Sequence, residues 1–276
     1  MHSPISNFIF LAYPLINIIV AIYQGLNFLR LPFALGFSII VLTILIRLVL
    51  YPLTAYQLKA TKKMQDLTPH LNKLKEKHKN DAKMLQAETM KLYKEFGVNP
   101  LAGCLPLLIQ LPLIYALYQV LQDVVKYNIS QINQVLYSSV PKLTKSWDLT
   151  FFGLPLAQNP SHLLTTVGPI ILLVPIATGV FQFIQTKMML PLPAQNTGDK
   201  NGNKKDEKKK DDFATAFQSQ SLYIFPIMIA FFSYNFPIGL SLYWNTFTIF
   251  GIIQQYKVSG LGGLKEWTDK MYGKSK

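Results

Sequence analysis

Six apolar stretches, at about 8–29, 33–56, 104–122, 163–187, 221–236 and 238–256, decide what this chain can fold into. Crossing the hydrocarbon of a bilayer takes roughly 17–25 mostly apolar residues, and all but the first and fifth stretches read easily as spans. The fifth is short and runs into the sixth through Asn235-Phe236-Pro237-Ile238-Gly239, where Pro and Gly mark a tight helical hairpin. The first carries Pro14, Asn17, Tyr13 and Tyr23, so it reads either as a span or as an amphipathic helix lying in the interface. Composition points the same way: 50% of residues are hydrophobic and only 15% charged, against roughly a quarter charged in soluble domains. A lone Cys104 makes no intramolecular disulfide. The class expected is an all-α polytopic membrane protein.

Loop charge orients it. Of 27 Lys and Arg, ten Lys lie in 56–98, seven in 187–220 and five from 257 onward, while 126–162 holds only Lys126, Lys142 and Lys145. Cytoplasmic loops collect cations, which accounts for the net charge of +13 without any nucleic-acid partner. With the first stretch in the interface, the expectation is a five-span core with N-terminus out and C-terminus in, in the plasma (cytoplasmic) membrane. In order it comprises an interfacial region (1–32), a first span (33–56), a cytoplasmic helical hairpin (57–103) and a second span (104–125). An extracytoplasmic loop (126–162), a third span (163–187) and a flexible cytoplasmic loop (188–220) follow. Spans at 221–236 and 238–256 and a cytoplasmic tail (257–276) complete it. No Lys or Arg precedes Arg30 and no Cys lies near the start, so neither a cleaved signal peptide nor a lipoprotein anchor is expected.

Two cytoplasmic segments differ in kind. In 57–98, Leu67, Leu71 and Leu74 recur at helical spacing, as do Leu85, Leu92 and Phe96, with Asn80-Asp81 as turn and cap. His70 and His78 lack a third ligand and read as surface residues. The run from Gln195 to Asp212 is low-complexity and reads as a mobile linker.

Arg47 stands near the middle of the second stretch. An arginine at the centre of a span costs roughly 2.5–3.5 kcal/mol on insertion scales. Snorkelling toward Tyr51 and Tyr56 competes as an explanation. The nine residues to Tyr56 rise roughly 13 Å, beyond the reach of one side chain. No Asp or Glu sits at the centre of another span to pair with it. The expectation is therefore a hydrated cavity, lined further by Thr43, Gln110, Gln182, Gln185, Asn245 and Thr246; each alone also reads as an amide or hydroxyl bonding across a helix pair. No HExxH, GxSxG, Walker A or paired intramembrane aspartates occur, so neither an enzyme nor a bound cofactor or metal is expected.

These residues carry a resemblance. The run Thr43-Ile-Leu-Ile-Arg47-Leu-Val-Leu-Tyr51-Pro52-Leu53-Thr54 resembles the first core span of the YidC/Oxa/Alb membrane protein insertases. The similarity continues from Lys91 through Asn99-Pro100 to Gln110 and Pro112, at Phe151-Phe152-Gly153-Leu154-Pro155, at Phe236-Pro237-Ile238-Gly239 through Tyr243-Trp244, and at Gln254-Gln255. It implies five core helices around a hydrophilic groove open to cytoplasm and lipid, preceded by an interfacial helix and carrying a cytoplasmic hairpin. Arg47, Thr43, Gln110, Tyr51, Tyr243 and Trp244 then fall at groove positions, in a short form without a large extracytoplasmic domain. The implied partners are nascent membrane proteins and lipid, with the Sec translocon and the ribosome as further candidates. A small secondary transporter or channel is the competing class, but such proteins typically show internal repeats, and none is found.

Overall fold

The computed structural model describes residues 9–78, 81–98, 111–112, 114–120, 128–189, 213–271 and 273. It is mostly helical. The helices are α1 (Ile9–Phe28), α2 (Ala34–Val49), α3 (Tyr51–Lys77), α4 (Ala82–Glu95), α5 (Ile129–Gln134), α6 (Pro160–Leu163), α7 (Leu173–Met189), α8 (Phe213–Asn235), α9 (Ile238–Ser259) and α10 (Lys265–Met271). Residues 111–112 and 114–120 are also helical. Two short strands, β1 (Thr150–Phe151) and β2 (Leu154–Pro155), pair antiparallel.

Two compact units are formed. The first takes Met1–Pro52, Pro106–Gln182 and Ile227–Gly251; the second takes Leu53–Leu105, Phe183–Pro226 and Ile252–Lys276.

In the first unit, α1 presents Leu15, Ile16, Ile19, Val20 and Tyr23 at helical spacing, and α2 answers with Leu35, Ile39 and Leu42. Ala116, Leu117, Val120, Ile132, Leu156, Ile171 and Tyr243 close the same core. Asn17 is buried in α1 because it fastens the loop that follows α5: its amide donates to Val135 O (3.1 Å) and its Oδ1 accepts from Tyr137 N (2.6 Å). Tyr23 accepts from Asp148 N through its hydroxyl and packs its ring on Trp147.

The strands were not expected. Their two-residue connection, Phe152 (φ 48°) and Gly153 (φ 81°), has both residues left-handed, the type I′ arrangement that suits strand twist. A phenylalanine there costs roughly 1–2 kcal/mol in backbone sterics. The hairpin then caps α9: Gln158 O accepts from Ile238 N (3.0 Å) and Leu156 O from Gly239 N (2.8 Å). Both are amides that a helix start leaves without an internal partner.

The second unit contains α3 and α4, joined by ring contact between His70 and Phe96 at 5.6 Å. Asp81 caps α4 by accepting from Met84 N. Gly97 (φ 61°) ends it, with Val98 N donating to Tyr93 O, as in a Schellman turn. The Asn80 half of the expected turn lies outside the described residues, as do Gln195–Asp212. The last carbonyls of α7 are capped by glutamines from other helices. Gln65 donates to Met189 O (2.7 Å) and Met188 O (3.3 Å), and Gln255 donates to Met188 O (3.4 Å). Gly262 approaches so closely that a Cβ would lie 1.9 Å from Met188 O.

Segment limits depart from the sequence reading. The single span expected over 33–56 is two helices, because α2 stops at Val49 and α3 starts at Tyr51. Pro52 in the first turn of α3 has no N–H to give and crowds the carbonyl four residues back, so one continuous helix cannot pass through it unbent. The apolar stretch at 163–187 begins instead with the short α6 and a 3₁₀ turn (Pro169–Leu172), separated by Gly168 at φ 84°. Among the described residues, one helix, Pro169–Met189, is long and apolar enough alone to cross a membrane; the bent pair α2 and α3 supplies a second if counted as one span. Tyr13–Phe28 and Leu222–Asn235 are shorter apolar helices.

Candidate functional site

Thr43 and Arg47 stand four residues apart on α2 and therefore on one face. Both are buried, Arg47 to 5% exposure. Thr43 donates its hydroxyl back to Ile39 O (2.6 Å), a bond that satisfies it inside an apolar helix. Arg47 turns to α9. Its Nη2 donates to the backbone carbonyl of Phe247 (2.6 Å), and its guanidinium carbon lies 3.4 Å from the centroid of the Phe247 ring and 6.0 Å from that of Phe250. Charge-assisted hydrogen bonding and cation–π contact together offset part of the desolvation. Arg47 Nε remains buried without a hydrogen-bond partner.

Helix α9 supplies the opposite wall. Tyr243 and Phe247 are four apart, with ring centroids 5.8 Å from each other, and Tyr243 is almost wholly buried. Trp244 donates its indole N–H to Gln182 Oε1 on α7 (3.0 Å). Asn245 Oδ1 and Thr248 Oγ1 are buried without partners, whereas Thr246 bonds back to Leu242 O. A hydroxyl chain joins three helices: Thr178 Oγ1 lies 3.2 Å from Ser233 Oγ, which lies 2.8 Å from Ser241 Oγ.

Of the residues named from sequence, the structure thus brings Arg47 against α9 beside Tyr243, and Trp244 onto Gln182. Tyr51 opens α3 and is 37% exposed. Gln185 is half-buried. Gln110 lies outside the described residues. Phe247, Thr178, Ser233 and Ser241 were not singled out from the sequence. For Thr178, Ser233 and Ser241 the signal was a hydroxyl within an apolar span, which pairs helices in membranes; Phe247, which acts through its carbonyl and its ring, carried no such signal.

The outer faces are the reverse. On the α7 side, Ile170, Leu173, Ile176 and Val180 are exposed in a stripe, and on α8 Ile227 and Phe231 are exposed. Polar side chains turned inward and apolar stripes turned outward define the class, a helical membrane protein.

Comparison with known proteins narrows this. The family described as 60Kd inner membrane protein matches residues 28–261. The chain is similar to the membrane protein insertase YidC of Fusobacterium nucleatum, 36% identical over 228 residues, 82% of this chain and 87% of that protein. The membrane protein insertase MisCA of Bacillus subtilis is 34% identical over 258 residues, 91% of this chain and 78% of its own length. The chloroplastic inner membrane protein ALBINO3 of Arabidopsis thaliana is 31% identical, over 90% of this chain but 51% of its own. A crystal structure of an active YidC insertase shares the fold, with a TM-score of 0.56 at 24% identity, covering 88% of this chain and 45% of that one. The chain belongs to the YidC/Oxa/Alb family of membrane protein insertases. Its activity is placement of proteins in a membrane, not bond-making catalysis.

Proposed function

We propose that insertion runs through a hydrophilic groove whose charged centre is Arg47, lined by Thr43, Gln110, Tyr51, Gln182, Tyr243, Trp244 and Asn245. The carrying observation is the burial of Arg47 between α2 and α9 with Nε unpartnered, on helices whose outward faces are apolar. The unpartnered Asn245 Oδ1 and Thr248 Oγ1 add polar atoms to α9, the helix that holds Arg47. Such a wall lowers the cost of carrying a substrate's polar segment through a low-dielectric slab. Burial of the substrate's own apolar segment in lipid drives the process. Five spans, N-terminus out and C-terminus in, with α1 interfacial and α3–α4 a cytoplasmic hairpin, complete the reading. Nascent membrane proteins are the substrates, with the Sec translocon and ribosome as candidate partners.

The test is reconstitution of the full chain alone into liposomes with a short single-span substrate. The expected result is protease-protected, carbonate-resistant substrate with no accompanying ion flux. Flux without integration would assign the chain to the channel and transporter class instead.

A further inference from the structure

The turn between β1 and β2 is built against local preference. Its first position has φ 48°, where Asn, Asp or Gly is usual, yet it holds Phe152 with 69% of its surface exposed. The ring is nonetheless placed. It lies 5.0 Å from Phe33, 6.4 Å from Phe37 and 4.8 Å from Phe151. Phe33 immediately precedes the first residue of α2, and Phe151 reaches so close to α2 that a Cβ on Gly36 would sit 2.0 Å from its ring. The tip is therefore level with the first turn of α2. Phe28 and Leu29, at the end of α1, are 87% and 66% exposed and lead directly into Arg30.

We infer that the Phe152 tip is seated in the outer-leaflet interface of the bilayer and takes lipid as its partner. The inference rests on the reading of α2 as a segment that enters the membrane at Ala34. Aromatic rings collect where hydrocarbon meets headgroups, and the start of an apolar helix lies at that depth. Farther along α2, Leu45 and Leu48 are 43% and 52% exposed. Leu45, eleven residues beyond Ala34, lies roughly 16 Å deeper along the helix. Contacts with Phe33, Phe37 and Phe151 hold one side of the ring, but the 69% left uncovered gains nothing from water, whereas an interfacial turn places it in its preferred layer. Arg30, between two exposed apolar residues and the turn into α2, matches the phosphate layer in charge.

The experiment uses the full chain with Cys104→Ser, spin-labelled singly at Phe152→Cys, Leu45→Cys or Lys145→Cys, in phosphatidylcholine/phosphatidylglycerol vesicles. Collision with oxygen relative to a water-soluble nickel chelate reads depth. The ratio at 152 is expected several-fold above that at 145 and below that at 45. A 152 ratio equal to that at 145, with 45 still deep, overturns the lipid seating alone. A water-like ratio at 45 overturns the reading of α2 beneath it. Shielding of 152 from both reagents overturns lipid in favour of a protein covering. Phe152→Trp, read by quenching from brominated acyl chains against aqueous iodide as the difference from the parent chain with its Trp147, Trp244 and Trp267, checks the result with a ring in place. Stronger quenching by iodide than by bromine there overturns the seating.

Discussion

Replacing Arg47 by lysine keeps the charge but removes the planar fork that donates to Phe247 O and lies on its ring. Arg47→Lys is expected to retain most insertion and Arg47→Glu to abolish it. Arg47→Ala is expected to lose efficiency in proportion to the acidity of the substrate's outer segment, by roughly 1–4 kcal/mol per charge pair in a wet groove. Insertion measured across substrates of graded charge decides. Equal efficiency for Arg47→Ala and the parent chain throughout would reduce Arg47 to a packing group. Gly36 gives a second test at this scale. Gly36→Ala drives a methyl into the Phe151 ring, which Phe33, Phe37 and Phe152 hold in place, so a loss of roughly 1–3 kcal/mol is expected. Thermal melting in detergent reads it, and Phe151→Ala should make the two changes less than additive. Arg47 and Thr43 were legible in the sequence because a cation and a hydroxyl interrupt an apolar run at helical spacing. The partner of Arg47 was not legible, since the accepting atom is a backbone carbonyl and every residue carries one.

Apolar runs announced most of the helices, but not where they break. Leu50 reads as one more apolar residue, and the break follows from Pro52 two positions later. The β-hairpin escaped notice because Phe-Gly replaces the Asn-Gly that ordinarily signals such a turn. Gln65 escaped because it stands on a lysine-rich helix and reads as part of a solvated face, whereas it caps α7 together with Gln255. Removing either glutamine should weaken the last turn of α7 by about 0.5–1.5 kcal/mol. Removing both should cost more than the sum, because Met188 O, which accepts from both glutamines, is then left with neither donor. Hydrogen exchange at the end of α7 in Gln65→Leu, Gln255→Leu and the double variant measures this; strict additivity would mean the two do not share the cap. A deletion of 70–95 spares Gln65 and removes most of the α3–α4 hairpin. Insertion is expected to collapse while the melting of the remaining helices holds.

Topology is the test that belongs to the whole chain. A tag placed before Pro4 should be reached from outside intact cells, whereas tags at 202 and 276 should be protected. An N-terminal tag reached only after permeabilisation would make the first stretch a sixth span. The docking of Asn17 and Tyr23 on residues 135–148 favours the first outcome, since those residues lie in the lysine-poor loop assigned to the outside. The same loop meets the start of α9. Ile238 and Gly239 begin α9, yet their amides find acceptors at Gln158 and Leu156, made earlier on the ribosome. The acceptors at Leu156 and Gln158 are therefore synthesised before the α9 amides that they receive. A chain stalled before residue 238 would already hold those acceptors, and adding α9 as a separate peptide should complete it in trans.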